Sequence, residues 1–173
     1  QIDTASGVVN DIEAIGKDRV DLAFMGPASY VKLVERYGKK PTLARIEVNG
    51  QPYLRGVIVV RADSPVQGLA GLKGRRVAFG DPDSTMGHLV PQYMLEKAGV
   101  ALRTLSNHRF LGAHKNVALA VLAGDFDAGA VKEEIYREYA PQGLRALATS
   151  PPVADHLFVA RSDLPAADVE RLR

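Results

Sequence analysis

The alternation of short apolar runs with helical segments predicts an α/β fold with largely parallel sheets. Three strand-to-helix transitions carry that reading. Residues 20–25, 77–79 and 126–131 look like buried strands, and each is followed within a few residues by a helix-like stretch. In such folds ligands sit beyond the carboxyl ends of the strands, beside helix N-termini. Three such places occur, at residues 26–30, 83–88 and 113–116.

Taken in order, Val8, Val9, Ile12 and Ile15 are spaced for one face of a short helix. The run 20–25 is a strand, and Gly26-Pro27 starts a helix to Tyr37, with Pro27 at the first helical position and Gly38 closing it. Residues 39–51 are irregular or hold a weak strand at 43–48. Residues 53–60 form the longest β-like run, ended by Asp63-Ser64-Pro65, and the glycine-rich stretch 67–76 reads as a crossover. A buried strand at 77–79 then leads through a polar turn into a helix ending near Ala98, its apolar face made by Leu89, Tyr93, Met94 and Ala98. Pro91 must lie near the first turn of that helix or kink it.

Residues 106–110 read as a short edge strand, and 117–123 as a helix apolar all round and therefore buried. The strand 126–131, a helix at 133–139, an extended return through Pro151-Pro152 to residues 157–160, and a last helix from 166 complete the chain. Residues 16–23 and 123–130 echo one another: a helix ends, an acidic turn follows, and an Asp-led strand begins. That pairing suits two similarly built lobes.

The chain has 173 residues, enough for one ordinary domain or two small lobes. Its 46% apolar and 24% charged residues are typical of a soluble globular protein. The net charge is only +2 and the aromatics are scattered, which argues against nucleic acid as a partner, so any anion site must be local. Without cysteine there are no disulfides and no thiolate ligands or nucleophiles. No run of ~18 apolar residues is present to span a membrane. The chain opens at Gln1 without a signal-like segment, which points to a processed, trimmed or partial chain.

The richest stretch for chemistry is residues 76–91. Ser84, Thr85 and Gly87 stand where the chain enters a helix, where backbone N–H groups lack intrahelical partners and the dipole is positive. Phosphate-like oxygens fit such a place. The competing reading is plain N-capping, for which Ser and Thr are favoured anyway. Asp81 and Asp83 flank a proline and read as turn residues rather than metal ligands. Lys73, Arg75 and Arg76 read as a solvated turn. Catalysis finds little support. Ser84 with His88 or His114 as base lacks the Gly-x-Ser-x-Gly elbow, and no P-loop lysine follows Gly87. Neither a cofactor nor a metal is implied.

The chain resembles the phosphonate, phosphite and phosphate substrate-binding proteins of bacterial ABC importers, which have a type II periplasmic-binding fold. The resemblance rests on Val20-Asp21-Leu22-Ala23-Phe24-Met25-Gly26-Pro27-Ala28-Ser29-Tyr30, on Tyr53 with residues 57–65, and on residues 72–79 running into Asp81-Pro82-Asp83-Ser84-Thr85. It continues through Gly112-Ala113-His114 and Gly124-Asp125-Phe126-Asp127-Ala128-Gly129-Ala130-Val131, covering roughly residues 5–165. It implies two α/β lobes with a ligand cleft between them. Residues 1–63 with 150–173 would form a first lobe, incomplete because the family's first strand and helix and its closing helices are missing. Residues 64–149 would form the second. The incomplete lobe is expected to expose apolar surface.

The resemblance further implies that Ser84, Thr85, Met86 and Gly87 bind phosphoryl oxygens, with His114 donating a ring N–H. Tyr30 and Tyr53 would line the first-lobe side, and Lys132 would stand beside the cleft. Core packing is the alternative for the two tyrosines, and a loop or capping role for His114. Two departures bear on the ligand. Where the family often reads Ser-Thr-Ser-Gly, Met86 replaces the second serine and one hydroxyl donor is lost, worth about 0.5–1.5 kcal/mol. Where an aminoalkylphosphonate binder would place a carboxylate, this chain has Lys132, followed by Glu133 and Glu134. A cation there favours an amine-free phosphorus oxyanion, unless Glu133 takes over. The implied protein is a periplasmic or membrane-anchored extracytoplasmic solute-binding protein, not an enzyme, that serves an ABC permease. The sensor domain of a membrane signalling protein is the alternative, and a small hydrolase is a more distant one.

Overall fold

The computed structural model describes the backbone of residues 8–48 and 50–173, and the side chains from residue 12 onward within those ranges. In chain order the elements are α1 (Val8–Gly16), β1 (Leu22–Met25), α2 (Pro27–Tyr37), β2 (Thr42–Arg45), β3 (Tyr53–Leu54) and β4 (Gly56–Arg61). A 3₁₀ turn at Leu69–Leu72 precedes β5 (Arg76–Phe79), which leads through a π-helical turn at Thr85–Leu89 into α3 (Val90–Lys97). There follow β6 (Asn107–Phe110), α4 (His114–Ala123), β7 (Ala128–Lys132), α5 (Glu133–Tyr139), β8 (Leu144–Thr149), β9 (Val153–Ala154), β10 (Leu157–Ala160) and α6 (Ala166–Leu172).

The chain divides into two compact units, Gln1–Tyr53 with Val153–Arg173, and Leu54–Pro152. Sequence reasoning placed the first crossover near Asp63-Ser64. It falls earlier because β4 pairs along its length with β7 and β8, which commits that strand to the second unit. The second crossover falls just after Pro151-Pro152. β3 and β9 pair as a two-stranded ribbon where the chain passes between the units.

In the first unit, β1, β10 and β2 form a sheet in that order, antiparallel throughout. One face packs on the helices: Ile12, Ile15, Met25, Leu33 and Val159 make a core, with Tyr30 and Tyr37 packed against it. Each fully buried aliphatic side chain here is worth about 1.5–3 kcal/mol. Alternation along the strands turns Leu22, Phe24 and Phe158 outward, 40–47% exposed, with Phe24 and Phe158 in ring contact at 4.8 Å. The turn after α1 is held by a small polar network. Asp18, at φ 56°, accepts from Lys40 Nζ at 2.7 Å and from the Ser162 amide at 2.7 Å, while Lys40, itself buried, also reaches Ser162 Oγ.

In the second unit a five-stranded sheet runs β6-β5-β7-β4-β8. β6, β5 and β7 are parallel, with α3 leading from β5 to β6 and α4 from β6 to β7, whereas β4 runs antiparallel to both its neighbours. The largely parallel arrangement expected from the sequence therefore holds only for those three strands. β7 is followed by α5 and β8, and the strand between them in the sheet, β4, runs the opposite way, so both of its pairings are antiparallel. Helices cover both faces. Val117, Ala118, Val121, Ile135 and Tyr139 pack on one side, and Leu72, Leu95 and Val100 on the other.

Two helix faces differ from expectation. α4 is not buried all round: Val117, Ala118 and Val121 are buried, but Leu119 is half exposed. In α3 the buried residues are Pro91 and Leu95, and Tyr93 lies outside at 59% exposure with Lys97 Nζ over its ring. Both helices lie on an open sheet face, so a stripe is enough to bury and the rest faces water. Arg76 is also more than a solvated turn residue. Its guanidinium binds both Asp127 carboxylate oxygens and the Gly124 carbonyl, tying β5 to the start of β7.

Candidate functional site

The parallel strands β6, β5 and β7 end side by side, and their carboxyl ends deliver the residues singled out by sequence. β5 runs into Gly80 and the turn to Ser84, β6 into Gly112 and His114, and β7 ends at Lys132. The loops are stitched together at once: the Leu111 amide donates to the Phe79 carbonyl at 2.9 Å and the Gly112 amide to the Gly80 carbonyl at 3.3 Å.

The turn after β5 is built by small polar residues. Asp81 Oδ1 accepts from the Asp83 amide at 2.8 Å, a side-chain-closed turn that explains both aspartates without a metal. Among the described residues no group of three or more His, Cys, Asp or Glu could hold a metal ion. Ser84 then caps the helix, its Oγ accepting from the Gly87 amide at 2.9 Å. The capping reading of Ser84 is thus true, and it leaves the hydroxyl hydrogen to be donated elsewhere.

The first turn is wound as a π-helix, with the Leu89 amide donating to the Ser84 carbonyl and the Val90 amide to the Thr85 carbonyl. Pro91 supplies the reason. It has no N–H to give the Gly87 carbonyl, which instead accepts from the Gly80 amide at 2.8 Å. The helix entrance is therefore tied back onto the end of β5.

Gly87 is a tight point of this turn. A β-carbon there would lie 2.8 Å from Ser84 Oγ, 3.1 Å from Gly80 Cα and 3.1 Å from His114 Cε1. The Ser84 hydroxyl and the His114 ring thus flank one bare stretch of backbone. His114 opens α4, and its Nδ1 is buried with no protein partner. Burial, and then the Lys132 charge, hold its imidazole below the ordinary histidine value, against a backbone hydrogen bond to Ala130 and the Glu134 charge. The ring is therefore neutral near pH 7, with one nitrogen that carries a hydrogen and one that accepts.

Met86 turns away from this surface. It is 3% exposed and packs against Gly56 at the start of β4. Lys132 is half exposed and pairs with Glu134 at 2.9 Å, while Glu133 pairs with Arg137 at 2.9 Å. Tyr30 and Tyr53 belong to the first unit. Tyr30 lies on α2 and packs against that unit's core, and Tyr53 opens β3 at 40% exposure.

Sequence reasoning weighed His88 only as a general base and missed its structural part. Its Nδ1 lies 2.7 Å from the Pro82 carbonyl, which can only accept, so Nδ1 carries the hydrogen and pins the turn. The ring is packed edge-on against Phe110 at 4.6 Å and Phe79 at 5.2 Å. A histidine six residues beyond a turn proline was the available signal. A polar cavity of about 200 Å³ lies at the other end of β5, lined by Arg61, Arg75 and Arg76 with Asp63 and Asp127. Ion pairs of Arg61 with Asp63 and of Arg76 with Asp127 satisfy most of its charge.

A sheet of this order brings a hydroxyl-capped helix entrance and a largely buried histidine together at the ends of its parallel strands, the place where α/β folds carry ligands. Comparison with known proteins gives the family. The profile described as "ABC transporter, phosphonate, periplasmic substrate-binding protein" matches residues 1–173, and the chain belongs to that family.

A probable ABC transporter phosphite binding protein, PhnD1, from Prochlorococcus marinus is 28% identical over 91% of this chain and 58% of its own length. Its structure in complex with methylphosphonate superposes with a TM-score of 0.79 at 24% identity, covering 97% of this chain and 68% of that one. A phosphate-import protein from Mycolicibacterium smegmatis is 33% identical over 72% of this chain and 42% of its own. A Xanthomonas citri protein solved with ATP matches with a TM-score of 0.84 at 23% identity, over 99% of this chain and 68% of that one. The chain thus spans about half the length of the curated relatives it matches. Among the described residues no helix is long and apolar enough to cross a membrane.

Proposed function

We propose that this chain serves as an extracytoplasmic solute-binding protein that captures a small phosphorus oxyanion and delivers it to an ABC permease. The observation that carries this reading is the flanking of Gly87 by the Ser84 hydroxyl and the largely buried His114 ring, whose Nδ1 has no protein partner, at the ends of three parallel strands. Ser84 and Thr85 hydroxyls, the backbone N–H groups at the helix entrance and the His114 N–H would bind the phosphoryl oxygens. Neutral donors and a helix dipole would then do what a salt bridge does elsewhere.

The two units would be the lobes, with Tyr30 and Tyr53 contributed from the first. Closure of the lobes over the ligand would strip it of water and form the surface that the permease reads. The ligand class is narrowed by Lys132 and by the two glutamates after it. Both glutamates already have cationic partners, so neither stands free for a ligand ammonium. Phosphite, phosphate or methylphosphonate fits better than 2-aminoethylphosphonate.

Thermal shift and calorimetry on the full-length protein with these four compounds test the reading. Ligand at about 100 times its dissociation constant should add ~2.7 kcal/mol of stability. A melting transition that none of the four moves would sink the proposal for this ligand class.

A further inference from the structure

Met86 occupies the one position of the anion turn where this chain departs from the serine the resemblance implied, and its side chain has a definite neighbour. A β-carbon placed on Gly56 would meet Met86 Sδ at 3.0 Å, the Met86 carbonyl at 3.4 Å and Met86 Cβ at 3.6 Å. Gly56 is the first residue of β4, immediately beyond the passage between units. Its position is fixed by Ser150, which is 2% exposed and lies just before the return passage. The Gly56 amide donates to Ser150 Oγ at 2.9 Å, the Ser150 amide donates to the Gly56 carbonyl at 2.8 Å, and the Ser150 hydroxyl donates onward to the Pro151 carbonyl at 2.8 Å. Both connecting segments thus converge on one glycine, and that glycine bears the methionine of the anion turn.

We propose that the Met86–Gly56 contact sets the position of the anion turn against the connecting segments, making Met86 a positioning residue for ligand capture. The inference rests on the reading of Ser84 and Thr85 as the anion site. β4 is held on both sides by β7 and β8, so it has no lateral freedom to yield. Anything that enlarges Gly56 is therefore relieved by movement of Met86, and with it the residues on either side that face the ligand. The close approach is to the methionine sulfur, whose side chain is enclosed at 3% exposure and passes the crowding to the turn, while the Met86 carbonyl stands at ordinary contact distance.

The test is calorimetry on the full-length protein with phosphite and with methylphosphonate. Gly56→Ala should weaken whichever anion the wild type binds by about tenfold, a penalty in the range of a modest overpacking. Met86→Ala in that background should return affinity to within about threefold of wild type, because the smaller side chain makes room. If Gly56→Ala folds poorly, single substitutions serve. Met86→Ala alone should weaken binding about threefold by loosening the turn, while Met86→Leu, which keeps the bulk, should bind as wild type does. A loss in Gly56→Ala that Met86→Ala fails to reverse would overturn the inference. So would equal affinities in wild type, Gly56→Ala and Met86→Ala, and in that case the anion site itself would stand. If the wild type binds neither anion, the site falls and this inference falls with it.

Discussion

Gly80 and Gly87 meet backbone to backbone: the Gly80 amide donates to the Gly87 carbonyl at 2.8 Å, and a β-carbon on Gly87 would sit 3.1 Å from Gly80 Cα. This contact locks the helix entrance onto the end of β5 and leaves no room for a side chain between Ser84 and His114. Gly87→Ala should therefore disturb both donors together. We expect destabilisation of about 1–3 kcal/mol from overpacking and a loss of anion affinity larger than that of Ser84→Ala alone. Urea unfolding and calorimetry on the same preparation would separate the two effects. An alanine variant that binds normally would mean the turn is looser than this contact implies.

His114 should make stability depend on pH. In the unfolded chain its imidazole takes up a proton near its ordinary value of 6.5, whereas in the folded protein burial and Lys132 hold it lower. Between those two values the unfolded state binds the extra proton, so this contribution is complete above the ordinary value and is lost as the pH falls toward the folded one. Comparing urea midpoints of wild type and His114→Gln from about pH 7.5 to 5 should show a steeper fall in wild type. Parallel curves would contradict the placement of a neutral, buried ring.

Asp127 gives a control that should move stability without touching the ligand. Hydrogen bonds from Arg76 hold its carboxyl below the ordinary carboxylate range, so its contribution is present above that range and disappears as pH falls through the lowered value. It also accepts from the Arg76 backbone amide at 2.8 Å. Asp127→Ala should destabilise by about 1–2 kcal/mol, since the pair is partly exposed and several hydrogen bonds go together. Because these groups sit at the start of β5 and the proposed anion turn at its end, affinity should be unchanged. A loss of affinity would show that strand β5 transmits the disturbance.

How much of this was readable in the sequence depended on how local the cause was. The helix from Pro27 to Tyr37 and the one from Glu133 to Tyr139 lie where proline, glycine and strand-ending signals put them. The helix entrance at Ser84 and Thr85 was legible because both stand between an apolar strand and a helical pattern. Its π-helical winding was not found, because it depends on Pro91 withholding an N–H and on Gly80, seven residues before Gly87, taking up the freed carbonyl. The passage between units was placed too late for a similar reason. Residues 53–60 read as one strand, and only pairing with β7 and β8, far along the chain, separates β3 from β4. The burial of Met86 against Gly56 is likewise a contact between distant segments, invisible to spacing. The sequence pattern also could not tell that Leu119 and Tyr93 would face water, since apolar residues all round a short helix leave its orientation open.

The central claim is that the Ser84–Thr85 turn is where a phosphorus oxyanion binds. Calorimetric titration of full-length wild type and of the Ser84→Ala, Thr85→Ala double variant, with phosphite, phosphate and methylphosphonate, tests it most directly. The account predicts saturable binding of at least one of the three by wild type, and loss of that binding in a variant that still unfolds cooperatively after the removal of one helix cap, itself worth about 0.5–2 kcal/mol. Binding of the same anion with unchanged affinity by the double variant would contradict it.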